Sequence, residues 1–523
     1  MDKTIWRGTL ILTASAFIIK ILSAVYRLPY QNLAGDVGFY VYQQVYPFYA
    51  LASVMGGFGF PVIISKLIAE CGKEEVIKKQ TVLKTAFMTL GTVGFLLFFI
   101  LFLGAPLISD LMGDSKLTGI FRTISFIFLI MPALAMLRGY FQGAHYYMLP
   151  TGVSQVTEQT VRVSVILGLS FFLFSRGSGP YEFGAAAAFG SMIAPFFAVG
   201  VLLIFYFKRS GQKRNKGMKA RWDKSLAARF LVEGFAYTLT ALAIVFFQLS
   251  DALTIVPLLG HDGHMDGRAL KGVYDRSYPL IQMGMTVAVA LSTAIIPMVA
   301  KLNEGKNRTE LKQHIGQALR TSILFGGAAS IGLFSIIKDV NIMLFENSKG
   351  TPALALMALC IFSASIVVTG ASILQSVGLT LRPVVYLLAA FVLKSTLNFL
   401  LIPPFGITGA ALGTLMGLSF LALLLLLKIW RIYQISIFRP REWSRLGIIM
   451  VGLFIPVTVW KFIVSVVFGI SGEGRMEAAI IALTSVFIGA LIFLILILKL
   501  GILSWREIEQ LPGGQRLKAF FRK

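Results

Sequence analysis

The sequence predicts an all-α polytopic membrane protein of about fourteen transmembrane helices, built as two six-helix repeat lobes plus two extra helices. Three observations predict it: the apolar composition, the distribution of basic residues between alternate loops, and an internal repeat. Of the 523 residues, 56% are hydrophobic and 14% are charged. An ordinary soluble domain carries roughly 25% charged residues. A soluble fold has no use for so many helices that are apolar all round.

Apolar runs near the length a helix needs to cross hydrocarbon place spans at 5–27, 38–65, 85–108, 118–142, 151–175, 183–207, 226–257, 272–300, 315–337, 352–378, 383–401, 407–427, 446–469 and 478–498. The first follows the short basic stretch Met1–Arg7 and runs straight into structured sequence. It therefore reads as a retained span and not as a cleaved signal peptide. The second contains Pro47, Gly56, Gly57, Gly59 and Pro61. These predict kinks or unwound turns, which membranes tolerate where the freed backbone packs on protein or lines a cavity.

Loop charges orient these spans. With the N-terminus inside, the cytoplasmic segments hold 31 Lys or Arg and the outer loops hold 7: Lys116, Arg176, Arg268, Lys271, Lys338, Lys349 and Arg475. Positive-inside bias of this size places both termini in the cytoplasm of a multi-pass plasma-membrane protein. It also absorbs most of the formal charge of +24 without invoking nucleic acid. The Lys208–Lys224 stretch reads as an orientation signal and linker, within reach of anionic headgroups.

The repeat is visible in short matches. Tyr42-Gln-Gln-Val-Tyr46-Pro47 returns as Tyr274-Asp-Arg-Ser-Tyr278-Pro279, 232 residues later. Pro61 to Lys66 resembles Pro297 to Lys301. Gln142 to Pro150 spans the same distance as Gln375 to Pro383, and Gly184-Ala-Ala resembles Gly409-Ala-Ala. The expected organisation is an N-terminal lobe 1–208, a basic linker 209–225, a C-terminal lobe 226–432, and extra helices with a tail at 433–523. An even-numbered unit repeats in parallel, about an axis along the membrane normal. Two such lobes with a site between them are an alternating-access architecture.

Ten basic residues remain within or beside spans. Arg122, Arg229, Arg320 and Lys461 lie near predicted ends and are expected to snorkel; Arg138 is within a turn or two of an end. The others fall deeper, where a charge normally faces a cavity or a partner. Lys20 and Arg27 are seven apart in the first span, on one face, with Ser23 between them. Gln155, Glu158, Gln159 and Arg162 form a polar stripe at i, i+3, i+4 and i+7 on the fifth. Glu158 and Arg162 can pair at i, i+4, as a structural tie or as part of a site. The seventh span carries Gln248 and Asp251, the eighth Asp275 and Arg276, the eleventh Lys394. Asp251 and Asp275 are possible counter-ions of Arg276. The excess of cations suits a phosphate-bearing ligand, since arginine's planar fork grips phosphate oxygens in pairs.

Leu137-Arg-Gly-Tyr-Phe-Gln-Gly143, Pro150-Thr151, Ser154-Gln155, Glu158-Gln159 and Arg162-Val163 resemble the signature of the polysaccharide-export branch of the multidrug/oligosaccharidyl-lipid/polysaccharide (MOP) flippase superfamily. More narrowly, the chain is similar to the stage V sporulation protein B-like and lipid II flippase groups. Tyr274-Asp275-Arg276 is similar to a stretch whose arginine lines the central cavity there. Lys20 and Arg27 resemble a pair of basic positions in the first helix, with lysine replacing the usual first arginine. The resemblance implies a cavity opening alternately to each side, and a groove at the two extra helices for a polyprenyl tail.

The expected function is therefore a flippase. It would move a polyprenyl-(pyro)phosphate-linked oligosaccharide or peptidoglycan precursor from inner to outer leaflet, for cell-wall or polysaccharide assembly. The expected substrate-binding set is Lys20, Arg27, Arg276, Asp251, Asp275, Glu158, Arg162 and Lys394. The alternatives are a cation-coupled multidrug antiporter of the same superfamily and, from another class, a membrane-embedded glycosyltransferase. No Walker A sequence or Ser-His-Asp arrangement points to catalysis, so no enzyme and no cofactor are expected. Sodium, protons or the membrane potential are possible driving forces. Cys71 and Cys360 lie far apart without motif spacing. His261, His264 and Asp266 lack the spacing of a zinc motif, so no metal is expected. The expected partners are the lipid-linked sugar and membrane lipids, with a monomer as the working assembly.

Overall fold

The computed structural model describes residues 26–71, 76–143, 148–210, 221–260, 266–305, 307–467 and 471–503, with single positions 15, 18, 19, 22, 23 and 469. Lys20, His261 and His264 lie outside the described residues. Among the described residues all regular structure is helical. Eleven helices among the described residues are long and apolar enough to cross a membrane. They become twelve if Lys224–Ala241 and Ala243–Leu259, which meet at a 72° bend, form one span. The protein is thus a multi-pass α-helical membrane protein.

The expected count of about fourteen differs for two reasons. Most of the predicted first span falls outside the described residues. The predicted eleventh and twelfth spans are one helix on the hydrogen-bond pattern, Leu381–Tyr433, of 53 residues. At 1.5 Å per residue a straight rod of that length would reach about 80 Å, against about 30 Å of hydrocarbon. It is not straight. Pro403 and Pro404 remove donors, and Gly406 takes a φ of 58° that side-chain-bearing residues rarely adopt. A Cβ placed on Gly409 would lie 2.0 Å from the Leu401 carbonyl oxygen. Only glycine lets the two arms approach so closely.

The chain forms two compact units, Met1–Asp275 and Arg276–Lys523. The first contains α1 (Arg27–Val54), a π-helical turn (Met55–Gly59), α2 (Phe60–Glu70), α3 (Val76–Leu111), α4 (Thr118–Ser125), α5 (Ile127–Gly143), α6 (Leu149–Ser175), α7 (Pro180–Ser210), α8 (Lys224–Ala241), α9 (Ala243–Leu259) and α10 (Gly267–Asp275). The units are not drawn where the repeat is, because α8, α9 and α10 pack on α1 and the π-helical turn. The core of this unit is aromatic: Tyr26, Tyr30, Phe39, Tyr40, Tyr42 and Phe60 are all buried. The glycines predicted to break the second span make the π-helical turn. There a Cβ on Gly59 would strike the Thr238 hydroxyl at 1.9 Å. Outward, α3 exposes Phe95, Leu96, Ile100, Leu103 and Leu107, as a lipid-facing helix does.

The second unit contains α11 (Ser277–Thr293), α12 (Ile296–Glu304), α13 (Arg308–Phe345), α14 (Thr351–Ser376), α15 (Leu381–Tyr433), α16 (Pro440–Val467) and α17 (Arg475–Leu500). The last two, the predicted extra helices, dock on α13. Lys461 pairs with Asp339 at 2.6 Å and donates to the Ser335 carbonyl. It therefore ties helices together, where the sequence predicts a snorkelling side chain. Arg475 pairs with Glu346. Between α11, α13, α16 and α17 lies an apolar groove of about 600 Å³, lined by Val287, Phe325, Leu453, Val457, Val486 and Phe493 among others.

Candidate anion-binding site

Tyr42, Tyr46 and Tyr49 are spaced four and three residues apart, so α1 carries them on one face. α6 presents its polar stripe to that face. Arg162, 4% exposed, donates from Nη1 to the Tyr49 hydroxyl at 2.5 Å and from Nη2 to the Tyr26 hydroxyl at 2.7 Å. Its guanidinium carbon lies 4.6 Å from the Tyr49 ring centroid and 5.2 Å from that of Tyr26. The Tyr26 and Tyr42 hydroxyls share a hydrogen bond of 3.0 Å. Arg27 is also buried, 5.1 Å from the Tyr46 centroid. Each cation–π contact of this kind contributes about 0.5–2 kcal/mol, more where water is excluded.

No carboxylate among the described residues forms an ion pair with Arg162, and its Nε finds no acceptor. The i, i+4 pairing expected with Glu158 does not form. Glu158 instead accepts from Arg138 Nη2 at 2.6 Å, and Arg138 Nε donates to Ser154 at 3.2 Å. Arg138 is 2% exposed, not a snorkelling residue near a helix end. Helical spacing shows only partners on one helix, and Arg138 sits on the neighbouring α5. The consequence is chemical. Arg162 places its guanidinium in a cage of rings and hydroxyls, with Nε–H unsatisfied among the described residues.

Two more polar clusters sit in this unit. Tyr274 donates to Asp251 at 2.8 Å, and Lys271 pairs with Asp275 at 2.5 Å. Lys271 was expected in an outer loop but is buried in α10. Asp275 is thus partnered by Lys271, whereas the sequence offered it as a possible counter-ion of Arg276. Asp114 is buried and accepts from Tyr40 at 3.2 Å and Tyr181 at 2.6 Å, and it pairs with Arg268 at 3.2 Å. This knot of α1, α7 and α10 escaped the sequence because its members are too far apart for any spacing rule.

In the second unit, Arg276 donates to the side-chain oxygens of Asn341 at 3.2 Å and Asn347 at 2.9 Å, 4.7 Å from the Phe345 centroid. Lys394 is fully buried. Its Nζ donates to Asn398 Oδ1 at 2.7 Å and to the Ala410 carbonyl at 2.8 Å, closing the two arms of α15 on each other. Asp251, Asp275 and Glu158 are therefore engaged by neighbours, as is Lys394. Among the described residues no group of three His, Cys, Asp or Glu side chains is placed to hold a metal.

Comparison with known proteins adds the lineage. Residues 5–303 match the polysaccharide biosynthesis protein family, and residues 263–400 match the MatE family. An uncharacterized membrane protein of Bacillus subtilis (strain 168), YabM, is 39% identical over 99% of this chain and 97% of its own length. The lipid II flippase MurJ of the same strain is 28% identical over 100% of this chain and 99% of its own. In structure the chain is similar to lipid II flippase MurJ in an inward closed conformation. The TM-score is 0.66 at 13% identity, covering 93% of this chain and 98% of that one. This chain belongs to the polysaccharide biosynthesis protein family, within the MOP flippase superfamily.

Proposed function

We propose that this protein flips a polyprenyl-(pyro)phosphate-linked oligosaccharide or peptidoglycan precursor from the inner to the outer leaflet by alternating access. The observation that carries this is the uncompensated charge of Arg162, buried among tyrosines with Nε unsatisfied. A buried charge without a counter-ion is unfavourable unless something anionic visits it. A pyrophosphate supplies the acceptors, and tyrosine rings are good surfaces for sugar faces. Arg27, Arg162, Arg276 and Lys20 are the proposed contacts to the phosphates. Membership of a flippase superfamily and the similarity to MurJ support the same reading. The apolar groove at α16 and α17 would take the polyprenyl tail, as the resemblance implies.

The acids fit this reading better than the antiporter alternative. An organic cation needs a free carboxylate, and Glu158, Asp251 and Asp275 each hold a donor of the protein. The arrangement suits transport rather than catalysis. Both termini are proposed to be cytoplasmic, from the loop charges.

The test is a flipping assay in proteoliposomes carrying a lipid-linked sugar. The intact protein is expected to move it, and an Arg27→Ala, Arg276→Ala double variant to lose most of that activity. Equal rates for the two would sink the proposed contacts.

A further inference from the structure

In the second unit, the junction where α15 passes into α16 combines an apolar surface with a cluster of arginines. α15 ends at Gln434, whose φ of 49° caps the helix in the left-handed region. The strand of loop that follows is held down on α13: Arg320 Nε donates to the Ile437 carbonyl at 3.2 Å. Phe438 is buried between the Arg320 guanidinium, 5.7 Å away, and the Trp443 ring, 5.0 Å away. This pinning fixes two recesses side by side along the chain. One, of about 130 Å³, is apolar and lined by Leu319, Leu426, Leu427, Trp430, Ile435 and Ile437 among others. The next, of about 440 Å³, is lined by Arg439, Pro440, Arg441, Glu442 and Arg445.

Among the described residues, the charges of the second recess are not spent in ion pairs. Glu442, the one acid there, turns its carboxylate to the Arg439 backbone N–H at 2.8 Å. None of the three arginines forms an ion pair among the described residues. Lys428 and Arg431 stand eleven and eight residues before Arg439 in the sequence. Trp430 and Trp443 are 57% and 52% exposed. Exposed tryptophans at the ends of apolar helices favour the level of lipid headgroups. A soluble phosphate compound would have no use for the apolar recess, and a zwitterionic lipid would leave the three positive charges uncompensated. An anionic amphiphile satisfies both halves.

We propose that this junction binds an anionic phospholipid, its phosphate among Arg439, Arg441 and Arg445 and the start of an acyl chain beside Trp430, Leu319 and Ile435. The proposal rests on the protein being a membrane protein, not on which substrate it transports.

Native mass spectrometry of the full-length protein, offered phosphatidylglycerol and phosphatidylcholine in equal amounts, tests it. The expected result is preferential retention of phosphatidylglycerol. Each arginine neutralised should weaken that retention about fivefold, as expected for one basic residue at an anionic surface. An Arg439→Gln, Arg441→Gln, Arg445→Gln variant should therefore lose the adduct, while a Lys224→Gln, Arg229→Gln variant in the first unit keeps it. Single Arg439→Gln and Arg441→Gln variants, at exposed positions, give the same reading if the triple variant does not fold. Filling the apolar recess with Ile435→Trp should reduce the adduct with all arginines present. Equal retention of the two lipids by the intact protein would overturn the proposal. So would a folded triple variant that keeps phosphatidylglycerol, or an equal loss in the first-unit variant. Failure of the flipping assay leaves this result untouched, so the two readings fail separately.

Discussion

Arg162 and Lys394 stand 232 residues apart, the same distance that separates the two copies of the Tyr-Pro motif, yet they are used in opposite ways. Arg162 reaches from α6 to tyrosines on and beside α1, and its Nε–H finds no acceptor among the described residues. Lys394 bonds to Asn398 and Ala410 within its own hairpin. A planar guanidinium can lie against rings and still offer edges to a ligand. A lysine's ammonium is a compact point, easily enclosed by a few oxygens. Two cations at the spacing of the expected repeat thus have different surroundings. On the proposed function the first meets an anion, whereas the second fastens a helix pair.

Four substitutions break or sharpen that contrast. The largest effect is expected at Glu158. Glu158→Ala leaves Arg138 charged and alone in the protein interior, which destabilises by about 3–5 kcal/mol. Thermal unfolding should show a large drop. Replacing both partners, Arg138→Met with Glu158→Leu, should recover much of it, because the stranded charge is gone. If Glu158→Ala is as stable as the parent, Glu158 is not Arg138's partner, and it becomes available to neutralise Arg162.

Next comes Arg162→Ala. A charged hydrogen bond contributes about 1.5–3 kcal/mol, so flipping should slow by about 10- to 150-fold. The contrast requires Lys394→Met to behave differently. It removes the Lys394 donor from Asn398 Oδ1 and from the Ala410 carbonyl, which keeps Thr414 as a second donor, at a cost of about 1–3 kcal/mol, so the melting temperature should fall while flipping per folded molecule is kept. Loss of flipping in Lys394→Met at normal stability would put the second copy back in the transport path. The smallest change is Tyr49→Phe. It removes one of Arg162's two hydroxyl acceptors, worth about 0.5–1.5 kcal/mol as an ordinary hydrogen bond, and keeps the ring. A mild change in substrate affinity, read as a shifted half-saturating concentration, is expected.

The sequence was most informative where one local rule sufficed. Apolar length marked the spans, and the stripe of Gln155, Glu158, Gln159 and Arg162 marked the inner face of α6 before any coordinates. It was least informative about which charges meet. Arg138 and Glu158 are 20 residues apart on different helices, a pairing that the i, i+4 rule cannot see. Lys271 counted as an outer-loop charge because hydropathy starts the eighth span at Gly272. The helix starts at Gly267, and the Asp275 carboxylate lets it bury a lysine. The split at Gly406 was legible from Pro403-Pro404, although a continuous hydrogen-bond pattern conceals it. The tyrosine cage was half legible. The spacing of Tyr42, Tyr46 and Tyr49 was on display, but only the packing of α6 on α1 reveals that Tyr49, with Tyr26, holds Arg162.

Everything turns on whether the open cation of the first unit meets a phosphate-bearing lipid. The most direct measurement is mass spectrometry of lipids that co-purify with the intact protein and with Arg162→Ala. A polyprenyl-(pyro)phosphate-linked sugar on the intact protein, depleted in the variant while Lys394→Met retains it, is the predicted result. No such lipid on the intact protein, or equal amounts on Arg162→Ala, would contradict the account.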